Sequence, residues 1–580
     1  MSLLYEQFRE ICLVDFEFSQ PHGDRPTVRC MVVKELRSGR TIRLWADQLS
    51  RLAVPPFGIG TETLFVAYFA SAEMNCFLSL GWPFPCYVLD LFVEFRNMTN
   101  GQKRKQGNGL LDTLFYFGLD GLEAVEKDEM RQLAIQGGPY TREEKNALLD
   151  YCESDVRSLE KLLDRMISHI DLPRALLRGC YMKAVAMMES TGIPIDVPLL
   201  DKVQMQWDSI KERLIRTIDA SRGIYDGTRF VAKRFEEFLR EHRIPWPRLH
   251  SGKLALDDDT FRSQAKIHPI ISPLRELKRS LDTLRLSDFS IGKDGRNRCL
   301  LSPFRSITGR NQASSTQFIF GPSVWLRGLI KPQPGWSLAY IDWSQQEFGI
   351  AAALSRDSAM IEAYRSGDPY LAFAKQAGAI PKYATKQSHS VQRELYKQAI
   401  LAVQYGMGAK SLAERLGQPL HVGEELLRHH RRIYPKFWKW AEATKSYSLL
   451  HFPLQTVFGW TLHPHENPNL RSLANFPVQG NGAEMLRIAC ILGVERGIGI
   501  CAPIHDAVLI EAPTGQINAV ATEMQAMMRE ASRIVLDCLE LRSDVKFVHA
   551  PDRYMDERGI EMWNKVMPLI GEPDKMVKAR

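Results

Sequence analysis

The sequence predicts a multidomain protein of mixed α/β and α+β class. Its 580 residues exceed what one hydrophobic core usually holds, so two to four domains are expected. Short apolar strands alternate with helical stretches up to about residue 168, a pattern typical of an α/β domain. A break at Asp171-Leu-Pro173 opens a mostly helical region, and a strand followed by helices returns from about residue 330. The simplest division is two catalytic units joined near residue 170.

Composition excludes several classes of protein. A hydrophobic fraction of 45% and a charged fraction of 25% are those of an ordinary globular protein, and the net charge of +7 permits a polyanionic partner without requiring one. Ten cysteines without a CxxC pair argue against zinc and against a disulfide framework. The start MSLLYEQFRE lacks the features of a signal peptide, and no apolar run approaches a membrane span. We expect a cytoplasmic protein with no membrane partner.

A first pair of carboxylates lies in the strand-like run LVDFEF. Asp15 and Glu17 are two residues apart, so both side chains leave the same face of a strand. Two carboxylates about 4 Å apart repel by roughly 4 kcal/mol at an effective dielectric near 20. A fold that keeps such a pair usually has a cation to offset this repulsion, and Mg²⁺ prefers oxygen ligands. Alone, the pair is better explained as a solvated strand face.

Two further acidic segments strengthen the case for a metal site. Tyr151 and Asp155 are four apart in the helical pattern YCESDVRSLEKLL and share one face. Between the two segments, Glu73 stands before a predicted helix and Asp90 at a strand end. DFE, a central acid and Y-x-x-x-D together resemble the signature of the DEDDy 3′-5′ proofreading exonucleases, which implies an RNase H-like fold.

In that family the acids hold two metal ions and the tyrosine orients a water molecule. The resemblance makes Asp15, Glu17 and Asp155 metal ligands and Tyr151 a catalytic residue. The central position normally holds Asp; here either Glu73 or Asp90 is the candidate ligand.

Three segments of the C-terminal half carry a second constellation. SLAYIDWSQQEFG predicts a strand that delivers Asp342 at its end and a helix that follows at once. PIHDAVLIEA predicts a hairpin with His505-Asp506 at its tip, which can direct Asp506 towards Asp342. RELYKQAILAVQYGMG places four residues on one side of a single helix, with two cations before an apolar residue and a ring: Arg393, Lys397, Leu401 and Tyr405. Separately, each segment is also explained by capping, a solvated face or turn chemistry.

Together and in this order the segments resemble motifs A, B and C of family A DNA polymerases, the bacterial polymerase I type. The matches are D-x-S-Q-x-E, R-x-x-x-K-x-x-x-x-x-x-x-Y-G and H-D. The resemblance implies template-directed addition of deoxynucleoside triphosphates to a primer 3′-OH on primer-template DNA. Asp342 and Asp506 would hold two Mg²⁺ ions, for which Mn²⁺ could substitute, and Lys397 would protonate the departing pyrophosphate.

The resemblance also implies roles for the surrounding positions. Glu347 matches the family's steric gate against a 2′-OH, and the nucleotide pocket would be completed by Arg393, Lys397, Leu401, Tyr405, Gln345 and Tyr370. Flanking matches such as SITGRNQASS, WLRGLIKP and RSLANFPVQGNGAEM imply DNA contacts from Thr308, Arg310, Arg327, Arg471, Asn475, Gln479 and His505. Residues 1–168 would form the exonuclease domain and 169–580 a right-hand polymerase domain, with the thumb at about 199–300, the palm at about 301–355 and 470–580, and the fingers at about 356–469.

Four positions depart from the family pattern. Ala507 replaces the Glu of H-D-E, Gly349 replaces an Arg, Leu401 replaces Phe or Tyr, and Tyr370 replaces a common His. These departures favour a divergent, bacteriophage-encoded branch that replicates a phage genome in the bacterial host cytoplasm. We expect a monomer without a 5′-nuclease domain, working with other replication proteins.

Other interpretations of the sequence stay open. A single-subunit RNA polymerase would share the palm and the helix but not Glu347 or the exonuclease. A silent DNA-binding protein, or a nuclease whose polymerase-like half only grips DNA, would not need Asp342 and Asp506. The segment RHHRRIYPKFWKW (428–440) interleaves cations and rings as single-strand binding surfaces do, although an amphipathic helix that buries Phe437 and Trp440 explains it better.

Overall fold

The computed structural model describes residues 1–119, 124–249, 251–282, 288–465, 469–537 and 539–570. In the part of the chain described, the strands are β1 (Glu10–Ser19), β2 (Thr27–Glu35), β3 (Thr41–Trp45), β4 (Thr63–Ala67), β5 (Tyr87–Asp90), β6 (Ile193–Pro194), β7 (Tyr225–Asp226), β8 (Arg229–Phe230), β9 (Arg296–Asn297), β10 (Trp336–Trp343), β11 (Leu454–Gln455), β12 (Thr461–Leu462), β13 (Gly499–Ile504), β14 (Ala507–Pro513) and β15 (Ser543–His549).

The α-helices are α1 (Ser2–Gln7), α2 (Ala46–Leu49), α3 (Ala70–Leu80), α4 (Leu91–Thr99), α5 (Leu110–Tyr116), α6 (Ala124–Gln136), α7 (Arg142–Met166), α8 (Leu172–Thr191), α9 (Val197–Met205), α10 (Trp207–Ile218), α11 (Ala232–Glu241), α12 (Asp258–Ile267), α13 (Ser272–Asp282), α14 (Gln346–Ser355), α15 (Ser358–Arg365), α16 (Pro369–Gln376), α17 (Ser390–Gln404), α18 (Ala409–Leu416), α19 (Leu420–Ile433), α20 (Pro435–Leu449), α21 (Leu470–Glu495), α22 (Ile517–Val535) and α23 (Ile560–Val566).

The chain forms two compact units. The first contains 1–192, 300–312 and 338–547, and the second contains 193–299, 313–337 and 548–580. Both predicted catalytic constellations lie in the first unit. The predicted functional boundaries at 168, 300, 355 and 470 follow the motifs rather than these compact units, and they remain predictions.

The first unit begins with a five-stranded sheet in the order β3-β2-β1-β4-β5. β1 pairs antiparallel with β2 and parallel with β4, so it is a central strand. The helix α7 packs against β1 and β2. It begins at a capping box in which Thr141 and Glu144 exchange side chain-to-backbone hydrogen bonds, and it buries Leu148, Cys152 and Leu159 on the sheet. This packing brings the middle of α7 against the strand that carries Asp15 and Glu17.

A second sheet of the first unit has the order β13-β14-β10-β15. The predicted hairpin is confirmed: Ile504 pairs with Ala507, which leaves His505 and Asp506 as a two-residue turn. The predicted strand ending near Asp342 is β10, and α14 follows it after two residues. The helices α14, α21 and α22 pack around this sheet in the largest apolar core of the described chain.

The predicted helix is α17, which carries Arg393, Lys397 and Leu401 but ends at Gln404, so Tyr405 is its C-cap and lies just outside the helix, contrary to the prediction. The 428–440 segment divides between α19 and α20. Phe437 is buried and Trp440 is half-buried against the core, as an amphipathic helix predicts. His430 is also buried, and its Nδ1 accepts a hydrogen bond of 3.0 Å from Trp438 Nε1. Aromatic packing therefore accounts for much of this segment, including rings that could otherwise stack on bases.

The second unit is mostly helical, with short strand pairs β6–β9 and β7–β8. The helical pattern from Leu199 to Ile218 predicts one helix, but the structure has two, α9 and α10, on either side of Gln206. Gln206 leaves helical geometry at φ −103° and ψ 5°, so the chain bends there and Trp207 stacks on Trp325 at 6.1 Å between ring centroids. No helix within the described ranges is long and apolar enough to cross a membrane.

Candidate functional site: two acidic centres in the first unit

The first centre joins the strand β1 to the helix α7. Carboxylate oxygens of Asp15, Glu17 and Asp155 all lie within 4.8 Å of one another. Asp15 and Glu17 leave the same face of β1, and α7 delivers Asp155 from the neighbouring layer. The Cys152 thiol donates to the Asp15 backbone carbonyl at 3.2 Å, which fixes α7 against the strand at this level. The predicted convergence of these three acids is therefore present.

Tyr151 stands one helical turn before Asp155 and is buried in the same centre. Burial, with the charges of Asp155, Glu17 and Asp15, raises the pKa of the Tyr151 hydroxyl above its ordinary value. The phenol therefore keeps its proton at neutral pH, and a protonated phenol can donate a hydrogen bond to a bound water or phosphate oxygen.

The two candidates for the central acid have different surroundings. Asp90 caps α4, and its carboxylate accepts backbone N–H groups of Ala70 at 2.7 Å, Phe69 at 3.1 Å and Val93 at 3.2 Å. Glu73 is buried in the first turn of α3 rather than before the helix as predicted. Burial, with the charges of Asp15, Glu17 and Asp90, raises the pKa of Glu73 well above its ordinary value. This geometry favours Glu73 as the fourth acid and a capping role for Asp90.

The donor set of this centre fits a hard divalent cation. Three converging carboxylates supply oxygen ligands, and such a cation would remove their mutual repulsion. Glu73 Oε2 is buried without a hydrogen-bond partner among the described residues. A buried carboxylate oxygen in that state is costly unless a ligand or a proton satisfies it.

The second centre lies at one end of the second sheet. Asp342 is the second-last residue of β10, and the backbone N–H of Trp343 donates to the carbonyl of Asp506 at 3.3 Å. Burial, with the charges of Asp506 and Asp544, raises the pKa of Asp342 to about 6. Burial also raises the pKa of Asp506, against the nearby positive charges of Arg310 and His505. The predicted approach of Asp342 and Asp506 is present, and these oxygen donors also suit a divalent cation.

Backbone strain marks both chain segments of this centre. Gln345 has φ +52° and His505 has φ +56°, and both are non-glycine residues in the left-handed region. Such conformations cost of order 1–3 kcal/mol and cluster at functional sites. Gln345 stands between Asp342 and α14, and His505 turns the chain immediately before Asp506. The strained residues thus orient the two carboxylates.

The cations predicted on α17 already have partners. The Arg393 guanidinium pairs with Asp368 and lies 5.4 Å from the centroid of the Tyr370 ring. Lys397 Nζ lies 3.5 Å from Glu394 Oε2 and stays more than a third exposed. Leu401 is half-buried further along the helix. Lys397 can therefore reach a phosphate with little rearrangement, whereas Arg393 would share its charge with Asp368.

One hydrogen bond joins the end of α17 to the start of α14. The Tyr405 hydroxyl donates to Glu347 Oε1 at 2.8 Å, and Gln479 of α21 also hydrogen-bonds to Tyr405. Burial and Glu347 raise the pKa of Tyr405 to about 12, so it stays a neutral donor. Arg310 lies within electrostatic range of both Tyr405 and Asp506. These contacts place the residues around one cleft of the first unit.

All of the predicted DNA-contact positions except Arg327 lie in the first unit. Arg471, Asn475 and Gln479 are each four apart on α21 and share a face. Asn475 and Gln479 line a cavity of about 320 Å³ together with Thr308. The turn 306–310 is fixed by Ser306, whose Oγ accepts the Arg310 N–H at 2.8 Å. Arg327 lies in the second unit, where it pairs with Asp556 at 2.5 Å and covers the Phe320 ring.

Similarity to known proteins agrees with this arrangement. Residues 315–549 match the family described as DNA polymerase family A. The chain is 24% identical to DNA polymerase I of Aquifex aeolicus over 406 residues, which cover 66% of this chain and 69% of that protein. It is 24% identical to the thermostable DNA polymerase I of Thermus aquaticus over 374 residues, 59% of this chain and 44% of that protein.

Residues 315–549 of the chain are thus similar to DNA polymerase family A. Its fold is similar to the POL domain of Pol1 from M. smegmatis, solved in complex with DNA primer-template and dNTP. The TM-score is 0.69 at 19% identity, and the match covers 94% of this chain and 96% of that chain. The chain spans less than half the length of the Thermus relative. The family match contains Asp342, Asp506 and α17, whereas the Asp15 centre lies outside it.

The structure adds residues that sequence reasoning missed. Arg487 is buried on α21, pairs with Glu484 at 2.8 Å and donates to the Gly309 carbonyl at 2.7 Å, so it holds the turn that carries Arg310. Asp368 and Asp544 are the other two, as partners of Arg393 and Asp342. The spacing of Glu484 and Arg487 on one helix was the only local signal, and it is common on ordinary helices.

Proposed function

We propose that this chain is a family A, DNA-dependent DNA polymerase that adds deoxynucleotides to a primer 3′-OH under the direction of a template. The observation that carries the proposal is the cleft around Asp342 and Asp506. Glu347 links this carboxylate end of the sheet to Tyr405 at the end of α17, and Arg310 is electrostatically close to both Asp506 and Tyr405.

The residues of the cleft divide the work of phosphoryl transfer. Asp342 and Asp506 would hold the divalent cations, Mg²⁺ by preference, which lower the pKa of the attacking hydroxyl and neutralise charge on the α-phosphate. Lys397 and Arg393 bind the triphosphate oxygens, and Lys397 can donate a proton to the departing pyrophosphate. Tyr405 and Leu401 line the base and sugar pocket. Glu347, held in place by Tyr405, excludes a 2′-OH.

A second activity follows from the other centre. We propose that Asp15, Glu17, Asp155 and Glu73 form a metal-dependent 3′-5′ exonuclease with Tyr151 as the donor that orients the attacking water. The support is the convergence of three carboxylates within 4.8 Å on a strand and a helix that are far apart in sequence. A solvated strand face would not bring Asp155 to the same point. The predicted domain division, residues 1–168 for this activity and 169–580 for polymerisation, is part of the proposal.

The departures from the family pattern support a divergent, bacteriophage-encoded replicative polymerase that acts as a monomer. In particular, Tyr370 stands where the family commonly has His, and the Arg393 guanidinium lies 5.4 Å from the centroid of its ring. A phenol there replaces a group that can carry a positive charge. Light scattering of the purified chain would test the monomer, and a dimer at assay concentration would contradict it.

One assay tests both activities. A 5′-labelled primer on a longer template is incubated with Mg²⁺ and four deoxynucleotides, and the products are read at single-nucleotide resolution. Extension to the template end supports the polymerase, and shortening of the primer when nucleotides are omitted supports the exonuclease. A primer that only shortens in the presence of all four nucleotides contradicts the polymerase proposal. Omission of Mg²⁺ should stop both reactions.

A further inference from the structure

The strand β15 brings a third carboxylate to the Asp342 centre from the side opposite Asp506. The sheet order β13-β14-β10-β15 places β10 between the strand that follows Asp506 and the strand that carries Asp544. Asp342 is thus flanked by an acid from each neighbour. The electrostatic influence of both Asp506 and Asp544 on Asp342 agrees with that placement.

The register of β10 and β15 follows from contacts at both ends of the pair. The backbone N–H of Ser344 donates to the Arg542 carbonyl at 2.8 Å, and Ser337 Oγ lies 2.9 Å from His549 Nδ1. The residue number falls on one strand as it rises on the other, so the pairing is antiparallel. Two residues along from Ser344 and Arg542, Asp342 comes opposite Asp544. Opposed residues of an antiparallel pair point to the same face with Cβ atoms about 4.5–5.5 Å apart.

The local contacts of Asp544 hold it in this position without neutralising it. Its Oδ2 accepts a hydrogen bond of 2.5 Å from the hydroxyl of the buried Ser344. Within the described residues no basic side chain forms a salt bridge with Asp544. Arg542 instead donates to the Tyr364 and Gly367 carbonyls at 3.0 and 3.1 Å. Two like charges directly opposed on a sheet are destabilising, and a divalent cation at Asp342 would offset that repulsion.

Asp544 is exposed and borders an open cavity of about 390 Å³, which Ser344, Gln345, Arg529 and Arg542 line with it. Ala507, by contrast, is fully buried in the core beside Asp506. The position after the catalytic Asp506 therefore offers no carboxylate to this centre, and the neighbouring strand does.

We infer that Asp544 is a positioning residue for the divalent cation held at Asp342, and that its negative charge compensates for the carboxylate missing at Ala507. The inference rests on the proposed polymerase function. Asp544 acts by adding negative charge beside Asp342, which strengthens the attraction of this end of the sheet for a hydrated divalent cation.

The test uses the full chain with the other centre disabled by Asp15→Ala and Glu17→Ala, so that bound metal reports on Asp342 alone. Mn²⁺ binding is titrated by electron paramagnetic resonance in this background and after adding Asp544→Asn. We expect the Mn²⁺ dissociation constant to rise about fivefold or more. The Mg²⁺ concentration that gives half-maximal primer extension should rise in the same proportion, with near-normal extension at saturating Mg²⁺. Glu540→Gln removes a surface charge four residues earlier and should change neither value.

Thermal unfolding in EDTA separates this role from a structural one. Loss of one of two opposed charges should leave the melting temperature unchanged or raise it, whereas loss of a needed acceptor for Ser344 should lower it. Unchanged Mn²⁺ affinity and Mg²⁺ requirement would overturn the inference and leave the polymerase proposal standing. A lowered melting temperature with unchanged metal affinity would also overturn it. If Asp544→Asn weakens Mn²⁺ binding but the parent chain extends no primer, the polymerase proposal fails and the metal site stands.

Discussion

The two acidic centres of the first unit hold their carboxylates in contrasting ways. In the Asp15 centre the acids converge within 4.8 Å, Asp155, Tyr151 and Glu73 are buried, and Asp15 and Glu17 are half-buried. In the Asp342 centre the acids come from three neighbouring strand segments, Asp342 and Asp506 are half-buried, and Asp544 is exposed. Under the proposed functions, the Asp15 centre would hydrolyse one phosphodiester at a time. The Asp342 centre would leave an open side for a triphosphate and a base pair.

The difference teaches how each centre manages like charge. The Asp15 centre concentrates negative charge, and burial together with the charges of Asp15, Glu17 and Asp90 raises the pKa of Glu73, which favours its neutral form when no metal is bound. The Asp342 centre places Arg310 near Asp506 and keeps Arg393 and Lys397 on a separate helix. A chain that must bind a polyanionic nucleotide benefits from nearby cations, whereas a hydrolytic centre needs only metal and water.

The largest expected effect comes from removing a carboxylate from one centre at a time and measuring the activity proposed for each centre. Asp342→Asn should lower the primer extension rate by roughly three orders of magnitude, because several kcal/mol of metal-based charge stabilisation are lost. The exonuclease rate should stay unchanged. Asp15→Asn should do the reverse. Single-turnover extension and single-strand degradation measure the two rates. If Asp342→Asn preserves extension, the catalytic assignment of this centre is wrong.

Glu347 tests the comparison further because it belongs to the Asp342 centre alone. Glu347→Ala removes the bulk expected beneath the sugar, and ribonucleotide incorporation relative to deoxynucleotide should rise by roughly a hundredfold. The competition between GTP and dGTP opposite a template C measures this ratio. Tyr405→Phe is the matched control, since it removes the 2.8 Å hydrogen bond but leaves the carboxylate. An unchanged ratio in Glu347→Ala would exclude the gate role.

The Asp15 centre has two candidates for its fourth acid, Glu73 and Asp90. Glu73→Gln should slow the exonuclease roughly tenfold to a hundredfold, as loss of a metal-supporting carboxylate does. Asp90→Asn should instead lower the free energy of unfolding by about 1 kcal/mol, because Asp90 caps α4 and anchors the start of α3. Degradation assays and denaturant unfolding distinguish the two. A greater loss of exonuclease rate in Asp90→Asn would reverse the assignment.

The smallest effect concerns the pH dependence of stability without metal. The pKa of Asp342 is raised to about 6, so the folded state holds this proton more tightly than the unfolded state. The resulting destabilisation grows as the pH rises from about 4 to about 6 and is complete above that. In EDTA at pH 7.5, Asp342→Asn should be more stable than the parent by on the order of 1 kcal/mol, since the group is partly exposed and solvent screens the shift.

That advantage should shrink at pH 5, where the parent's Asp342 is largely protonated. Thermal unfolding of both proteins at the two pH values measures it. Asp164→Asn, a change to an exposed carboxylate at the end of α7, provides the matched charge control. An advantage that is equal at pH 5 and pH 7.5 would show that the ionisation of Asp342 is not its cause.

Local patterns determined much of this protein. Asp342 at a strand end, His505 and Asp506 in a tight hairpin, and three residues along α17 with Tyr405 at its C-cap follow from periodicities of two and 3.6 and from turn chemistry within about fifteen residues. Asp15 and Glu17 on one strand, and Tyr151 and Asp155 on one helix, were predicted in the same way. The order of the motifs along the chain then indicated two separate sites, one near Asp15 and one near Asp342.

Only the tertiary structure decided which of these residues meet. The choice between Glu73 and Asp90 depends on which backbone N–H groups the folded α3 and α4 present, and Asp90 takes three of them. The break at Gln206 depends on where Trp207 finds a packing partner. Asp544 escaped prediction because nothing in RSDVKF shows that β15 lies beside β10. Strand pairing is a non-local choice made by burial of the whole sheet, whereas helices, turns and strand faces are set by neighbouring residues.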